Sequence, residues 1–376
     1  MPHRICILTT VHNCNDNRVY YKEVLSLKSL GYDVVYVAKE ITDEIDKSIE
    51  TLVIPQPKST IRRFFGFYKA YKVVIKLGCD IVHFQDAELI PTGLLLKRFT
   101  KIKVIYDVHE DYPAQMLTKF YIKSFFVRKA LNRFMTYLEK RAGKRFDAII
   151  TADSSVYTHF PSEKTTILYN FPSLKLMKQA DEKTGEVKKR FDIIFPGSMA
   201  KFTAKLFLDV MLEAKKRGRE LTCILISPFH FDGGKDWVIQ TAKEYGVYEN
   251  LTLMDRIPPY EVPFYMKATR LGLIPLPDTL KMRANIPTKM FEFMFFRLPV
   301  LTSDLPPCGQ FMHKDKFGFL IKYDDVNAYA DIILDLLDNP KHIEQLGEAG
   351  HDLVLSKYNW ESEEKKLADV YSKLLR

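Results

Sequence analysis

The stretch Ile286-Pro287-Thr288-Lys289-Met290-Phe291-Glu292-Phe293-Met294, followed by Phe295-Phe296-Arg297 and then Leu298-Pro299-Val300-Leu301, is the most informative in the chain. Pro287 suits the first turn of a helix, where its missing N–H costs nothing. The helix beyond it is apolar almost all round, and such a helix is normally buried. Pro299-Val300-Leu301 then reads as a buried strand. Lys289 and Glu292 stand three apart, on one side of the helix. Charges are rarely buried without partners, so either the two satisfy each other in a core helix or that side faces a cleft. In the second case the helix N-terminus is a ready anion site, and the carboxylate can accept both hydroxyls of a ribose.

Working outward, the rest of the chain alternates strands and helices. Arg4 to Thr10 reads as a strand, Asp16 to Leu30 as a helix closed by Gly31, and Asp33 to Ala38 as an apolar strand buried on both faces. Asp80 to Phe84, Lys103 to Val108 and Asp147 to Thr151 continue the pattern. Residues 172–190 are polar, lack periodicity and read as a linker. A second alternation follows through Asp192 to Phe195, a helix over Lys205 to Arg217, Thr222 to Ile226, Leu251 to Met254, Leu271 to Pro275 and Val300 to Thr302. A last helix starts at Asn359 with acids in its first turns. The expectation is an α/β chain of two doubly wound parallel sheets: a first domain over 1–172, a linker over 173–190, a second domain over 191–358 and a terminal helix over 359–376.

A chain of 376 residues is long enough for two such cores. Five cysteines, scattered and without a Cys-x-x-Cys pair, argue against a disulfide framework or zinc site and fit a reducing cytoplasm. No apolar run reaches the ~18–20 residues that span a bilayer, and Ile5–Leu8 is too short for a signal peptide's apolar region. The nine histidines show no ligand spacing, so no metal is expected.

Net charge is +9, concentrated in residues 51–150, which hold 19 Lys/Arg against 8 Asp/Glu, whereas residues 201–376 hold 24 against 25. Lys119 to Arg145 has nine basic residues and one acid, interleaved with aromatics, and Arg62-Arg63-Phe64-Phe65 leads a second such stretch. Residues 62–76 and 119–145 therefore suit peripheral contact with an anionic membrane, or simply helices with one solvated face. Nucleic acid is not expected, since no recognition motif accompanies the charge.

The ordered set Thr10-Val11-His12 with Asp16, Arg18, Lys22 and Glu23, Asp80 to His83 with Asp86 and Glu88, Val104 to Pro113, Pro287 to Met294 with Leu298-Pro299-Val300, and Tyr358 to Glu361 resembles retaining GT-B glycosyltransferases of the family-four type, bacterial enzymes that build cell-surface polysaccharides. The resemblance spans essentially the whole chain. It implies a GT-B fold: two Rossmann-like domains facing a cleft, with the C-terminal helix crossing back to the first. It implies a cytoplasmic enzyme, at the inner face of the plasma membrane, moving a hexosyl or N-acetylhexosaminyl group from a nucleotide diphosphate sugar to a glycan or lipid-linked glycan with retention and without a metal or other cofactor.

Loops after strands are where ligands sit in open α/β sheets. His109, after Val108, is the expected catalytic residue. Gly197 and Ser198, after Ile193–Phe195, with Lys201 and Lys205, form a candidate diphosphate cradle. On the same donor side, Pro287, Thr288 and Lys289 face the diphosphate, Glu292 the ribose, and Arg256 with Ile257 the base. His12, Asp16, Arg18, Asp86 and Glu88 are expected at the acceptor, because the first strand–helix turn lacks the paired glycines that bring backbone close to phosphate. Helix capping and solvated loop charge is the plain alternative for those five.

Three positions depart from the family pattern. Thr203 stands where relatives place an arginine, and Ala284 where many carry a sugar-binding glutamate, leaving Asn285 or Asp278 for that contact. Arg297 stands where a glycine is favoured. They keep open a non-catalytic subunit partnering another transferase; a nucleotide-sugar epimerase on the same fold is the other alternative.

Overall fold

The structure, a computed structural model, describes residues 2–55, 66–119, 122–313 and 316–376. Two compact units emerge, Met1–Asn170 with Trp360–Arg376, and Phe171–Asn359.

The first unit is built on strands β1 (Arg4–Leu8), β2 (Asp33–Ala38), β3 (Glu50–Val53), β4 (Ile81–Phe84), β5 (Lys103–Val108), β6 (Ala148–Thr151) and β7 (Thr165–Ile167). All neighbours are parallel, in the order β3-β2-β1-β4-β5-β6-β7. The order reverses between β1 and β4, which makes that gap the switch point where ligand loops diverge. Helices Gly66–Leu77, Ile90–Phe99 and Phe125–Arg145 pack on one side of the sheet, burying Ala70, Val74, Leu96, Leu138 and Ala142. On the other side lie Leu25–Ser29 and the last helix, Trp360–Leu375, through Leu27, Trp360, Leu367 and Tyr371. The returning helix is fixed by polar contacts as well. Trp360 Nε1 donates to Ser26 Oγ at 2.9 Å, and Glu363 accepts the N–H of Tyr169 at 3.0 Å.

The second unit has β8 (Phe191–Pro196), β9 (Cys223–Ile226), β10 (Leu251–Met254), β11 (Thr269–Ile274), β12 (Val300–Ser303) and β13 (Gly318–Ile321), again all parallel, ordered β10-β9-β8-β11-β12-β13. Its switch point lies between β8 and β11. The helix Lys201–Lys216 follows β8, and the short helix Lys289–Phe295 precedes β12.

Three expectations are corrected here. Residues 173–190 are not a bare linker, since Leu174–Thr184 is a helix. Leu174, Met177 and Ala180 recur at helical spacing, a stripe masked by the surrounding lysines, and Lys267 Nζ binds Asp181 Oδ1 at 2.6 Å. Gly185, at φ 64°, ends that helix. The expected helix from Asp16 is a π-helical turn, Val19–Val24, running into Leu25–Ser29. Finally, Pro287 precedes the N-cap Thr288 and lies outside the helix, which starts at Lys289. Arg62 to Phe65 lie outside the described residues. Among those described, no helix is long and apolar enough to cross a membrane.

Candidate functional site

In the first unit, the loops after β1, β4 and β5 meet around a set of carboxylates. Asp86 Oδ2 accepts the backbone N–H of Thr10 at 2.5 Å and of Val11 at 3.0 Å, and the hydroxyls of Thr9 and Thr10, both at 3.0 Å. Thr10 Oγ1 also lies 2.9 Å from Glu88 Oε1, so its one proton serves either carboxylate. Asp86, 3% exposed, therefore stitches the first loop across the switch point instead of offering a carboxylate to an acceptor. Asp16 begins the following turn by accepting the N–H groups of Arg18 and Val19, both at 2.9 Å.

His12 sits between two acids, Nδ1 3.5 Å from Asp16 and Nε2 3.5 Å from Asp86. Burial works against its charge, but Asp16, Asp86 and Asp107 outweigh that and raise its pKa. For Asp16, burial opposes ionisation, yet His12 and the backbone N–H groups bring it down to about 2. The His12 ring meets that of His109 edge-on, centroids 5.2 Å apart.

His109 follows β5, its side chain 12% exposed, and its Nε2 lies 3.0 Å from Asp107 Oδ2. With a carboxylate there, Nε2 carries the proton and Nδ1 is the nitrogen left to act. Asp107 is wholly buried and is gripped by Arg18, whose Nη2 reaches Oδ1 at 3.0 Å and Oδ2 at 2.9 Å. Arg18 Nε also reaches Glu23 Oε1 at 3.0 Å, and Nη1 the carbonyl of Leu168 at 2.8 Å. At 4% exposure, with every guanidinium nitrogen engaged, Arg18 is an internal counter-ion and not the acceptor contact expected of it.

Two buried carboxylates share this one guanidinium, and they divide the charge. Burial alone would raise Asp107, but the charges of Arg18 and His109 hold it well below the usual carboxylate range. Burial, then the negative Asp107, push Glu23 well above that range. His83 completes the cluster: its Nδ1 is 2.9 Å from the Tyr371 hydroxyl, and burial, helped by Arg18 and His109 against Asp107, lowers it to about 4. Glu23, His83 and Asp107 have the mutual proximity of metal ligands. Here Arg18 supplies counter-charge from within the chain. Neither Glu23 nor Asp107 was given a role from sequence; the signal was an acid inside the apolar run Val104–Val108.

In the second unit, the loop after β8 and the helix Lys289–Phe295 come together at the switch point. A side-chain carbon built on Gly197 would lie 3.4 Å from Lys289 Cε, so the lysine stem runs directly over the Gly197-Ser198 turn. Lys289 and Glu292 are half-buried, and neither side chain makes a hydrogen bond or ion pair with a described residue. The reading in which they neutralise each other is not what the structure shows.

The remaining donor-side residues separate. Lys201 lies over the Trp237 ring at 4.8 Å. Lys205 is turned along its helix to Asp209, 2.7 Å away, and not toward the Gly197-Ser198 turn. Arg256 is exposed and Ile257 half-buried, just past the end of edge strand β10. Thr203 and Ala204 point into the core, so that position has no room for a ligand-facing cation. Asp278 is bound by Arg283, at 2.6 Å through Nη2, leaving Asn285, which is exposed, for any contact at that end of the loop.

Comparison with known proteins agrees with this division. Residues 4–173 match the Glycosyltransferase Family 4 model, and residues 190–339 match Glycosyl transferases group 1. No curated protein matches the chain in sequence. Among solved structures, sucrose-phosphate synthase from Thermosynechococcus elongatus is similar at 15% identity and TM-score 0.72, with 99% of each chain covered. HepE from Anabaena, solved in complex with UDP, is similar at 12% identity and TM-score 0.72, covering 98% of this chain and 100% of that one. A UDP-forming α,α-trehalose-phosphate synthase from Burkholderia xenovorans gives TM-score 0.70 at 10% identity, with 100% of both chains covered. At these identities the likeness is one of fold.

Proposed function

We propose, from the premise that this chain belongs to the family-four glycosyltransferases of the GT-B fold, that it moves a sugar from a nucleoside diphosphate sugar to a hydroxyl of a glycan or lipid-linked glycan. We read the product as a cell-surface polysaccharide and the transfer as one with retention of anomeric configuration. The observation that carries the reading is the pair Lys289 and Glu292, half-buried at a switch point, with side chains bonded to no described residue. A charged side chain held partly out of water without a counter-charge is costly unless a ligand supplies one.

The division of labour follows from the chemistry of each group. Glu292 accepts the two ribose hydroxyls. Lys289, stretched over Gly197, meets the diphosphate together with the backbone N–H of Ser198, since that of Gly197 is donated to the Ile226 carbonyl at 3.0 Å. Its charge stabilises the negative charge that builds on the departing diphosphate, and this kind of preorganised electrostatics is usually the largest catalytic contribution. His109, presenting Nδ1 while Asp107 holds Nε2, hydrogen-bonds the transferred sugar or passes a proton at the reacting oxygens. Asp86, Glu88 and Arg18 act by holding the loops that carry His12 and His109. No step in this scheme needs a metal. The structures of HepE with UDP and with UDP-glucose favour a uridine donor as the first to try.

The test is a thermal-shift panel of UDP-, GDP- and ADP-sugars on wild type and Glu292→Ala. A cognate donor at ~100 times its dissociation constant adds about 2.7 kcal/mol of apparent stability. Loss of that shift in the variant supports the donor assignment; an undiminished shift overturns it.

A further inference from the structure

The sheet of the first unit is charged differently on its two sides. Helices Gly66–Leu77, Ile90–Phe99 and Phe125–Arg145, which share one side, hold three, two and seven Lys or Arg respectively, and a single acid, Glu139. Glu139 is 3% exposed, and burial, then Asp111, push its carboxyl up to about 8 against a weaker Tyr106 hydrogen bond. The outward charge of this layer is therefore all positive. Across the sheet, Leu25–Ser29 and Trp360–Leu375 carry four acids and four bases.

The outer stripe of Phe125–Arg145 runs Phe126, Ala130, Arg133, Tyr137 and Lys144 at helical spacing, flanked by Lys129, Lys140 and Arg141. Phe126 is 82% exposed and Tyr137 54%. None of the five cations in the stripe and its flanks pairs with an acid among the described residues. Instead, Arg141 lies 5.4 Å from the Tyr137 ring, and on the neighbouring helix Lys72 lies 4.8 Å from Tyr68. Large rings left in water beside unneutralised cations gain nothing from solvent. An anionic bilayer satisfies both, with rings in the interfacial layer and cations at the phosphates. Two other occupants fit less well. Asn132, the helix's one amide, is turned inward to the carbonyl of Pro113 at 2.8 Å, so no amide faces outward to read a base. A second copy of the same face would set cations against cations.

We propose that this three-helix layer, led by Phe125–Arg145, is the surface by which the first unit lies on an anionic lipid bilayer. The inference stands apart from the donor assignment, and it deepens the functional reading by favouring an acceptor carried on a lipid. It also links the membrane to chemistry. Asn132 and Arg128 bond the carbonyls of Pro113 and Leu117 in the helix Tyr112–Thr118, which Asp111 caps directly after His109.

Flotation of the full chain with phosphatidylcholine vesicles, with and without phosphatidylglycerol, tests this in the absence of any sugar nucleotide. Binding is expected only to the anionic vesicles and weakens with salt. Each of Arg133→Glu and Lys140→Glu lowers it by about fivefold or more, and Phe126→Ser lowers it at every salt concentration. Unchanged far-UV melting shows these surface variants folded. Equal binding to neutral vesicles, no binding to either, or insensitivity to all three changes overturns the proposal. So does transfer of the effect of these variants to oligonucleotide binding or to self-association.

Discussion

Asp107 and His109, two residues apart at the end of one strand, are joined by a 3.0 Å contact between Oδ2 and Nε2. The contact fixes which imidazole nitrogen is free. His109→Gln is therefore expected to lower turnover by about 100-fold or more, while leaving the donor-induced thermal shift of wild type intact. A variant that loses the shift instead would place His109 in donor binding.

Arg18 grips both carboxylate oxygens of Asp107. Removing it leaves a buried carboxylate uncompensated, which typically costs about 3–5 kcal/mol. Arg18→Met should show that loss in urea unfolding at pH 7. A cost under ~1 kcal/mol would mean the cluster is hydrated and Arg18 is an ordinary loop residue.

Glu139 links stability to pH. Its folded pKa, about 8, is above the ordinary value of 4.5, so between those values the folded chain holds a proton that the unfolded chain has lost. Stability from this group thus falls as pH rises from about 4.5 to 8. Glu139→Gln should flatten that slope and, at pH 8, raise stability by more than about 1 kcal/mol, measured as denaturant midpoints across pH. An unaltered pH slope would contradict the assignment.

Arg297 has φ 58°, the left-handed conformation that suits glycine after a helix end. For other residues that conformation costs about 1–2 kcal/mol. Against this stand its exposed pair with Glu348, 2.7 Å away, and the greater freedom of an unfolded glycine. Arg297→Gly is expected to stabilise by about 0.5 kcal/mol, without effect on donor binding. The left-handed backbone at Arg297 is what this substitution relieves. A destabilised variant in the same denaturation experiment would show the ion pair dominating.

The alternation of the two sheets was legible because parallel strands buried on both faces leave unbroken apolar runs, as in Val34–Ala38 or Val104–Ile105. Strand β3 left no such run, since Glu50-Thr51-Leu52-Val53 lies at the sheet edge and is largely exposed. The placement of candidate residues was legible where position alone decides, as for His109 after β5 and Lys289 beside the β8 turn. It was not legible where a charge's direction depends on distant partners. Arg18 meets Asp107 across 89 residues, and Asp86 meets Thr10 across 76. A helical pattern likewise says nothing about whether Lys205 will reach forward to a ligand or along its own helix to Asp209.

The Tyr371 hydroxyl reaches His83, and His83 borders Asp107 at 3.9 Å. A stop codon after Val370 would delete the phenol and let water down to the imidazole beneath it. The wall that keeps Asp107 dry would thin, loosening its hold on His109. A lesion in the helix Trp360–Leu375 would then read out as a defect in catalysis.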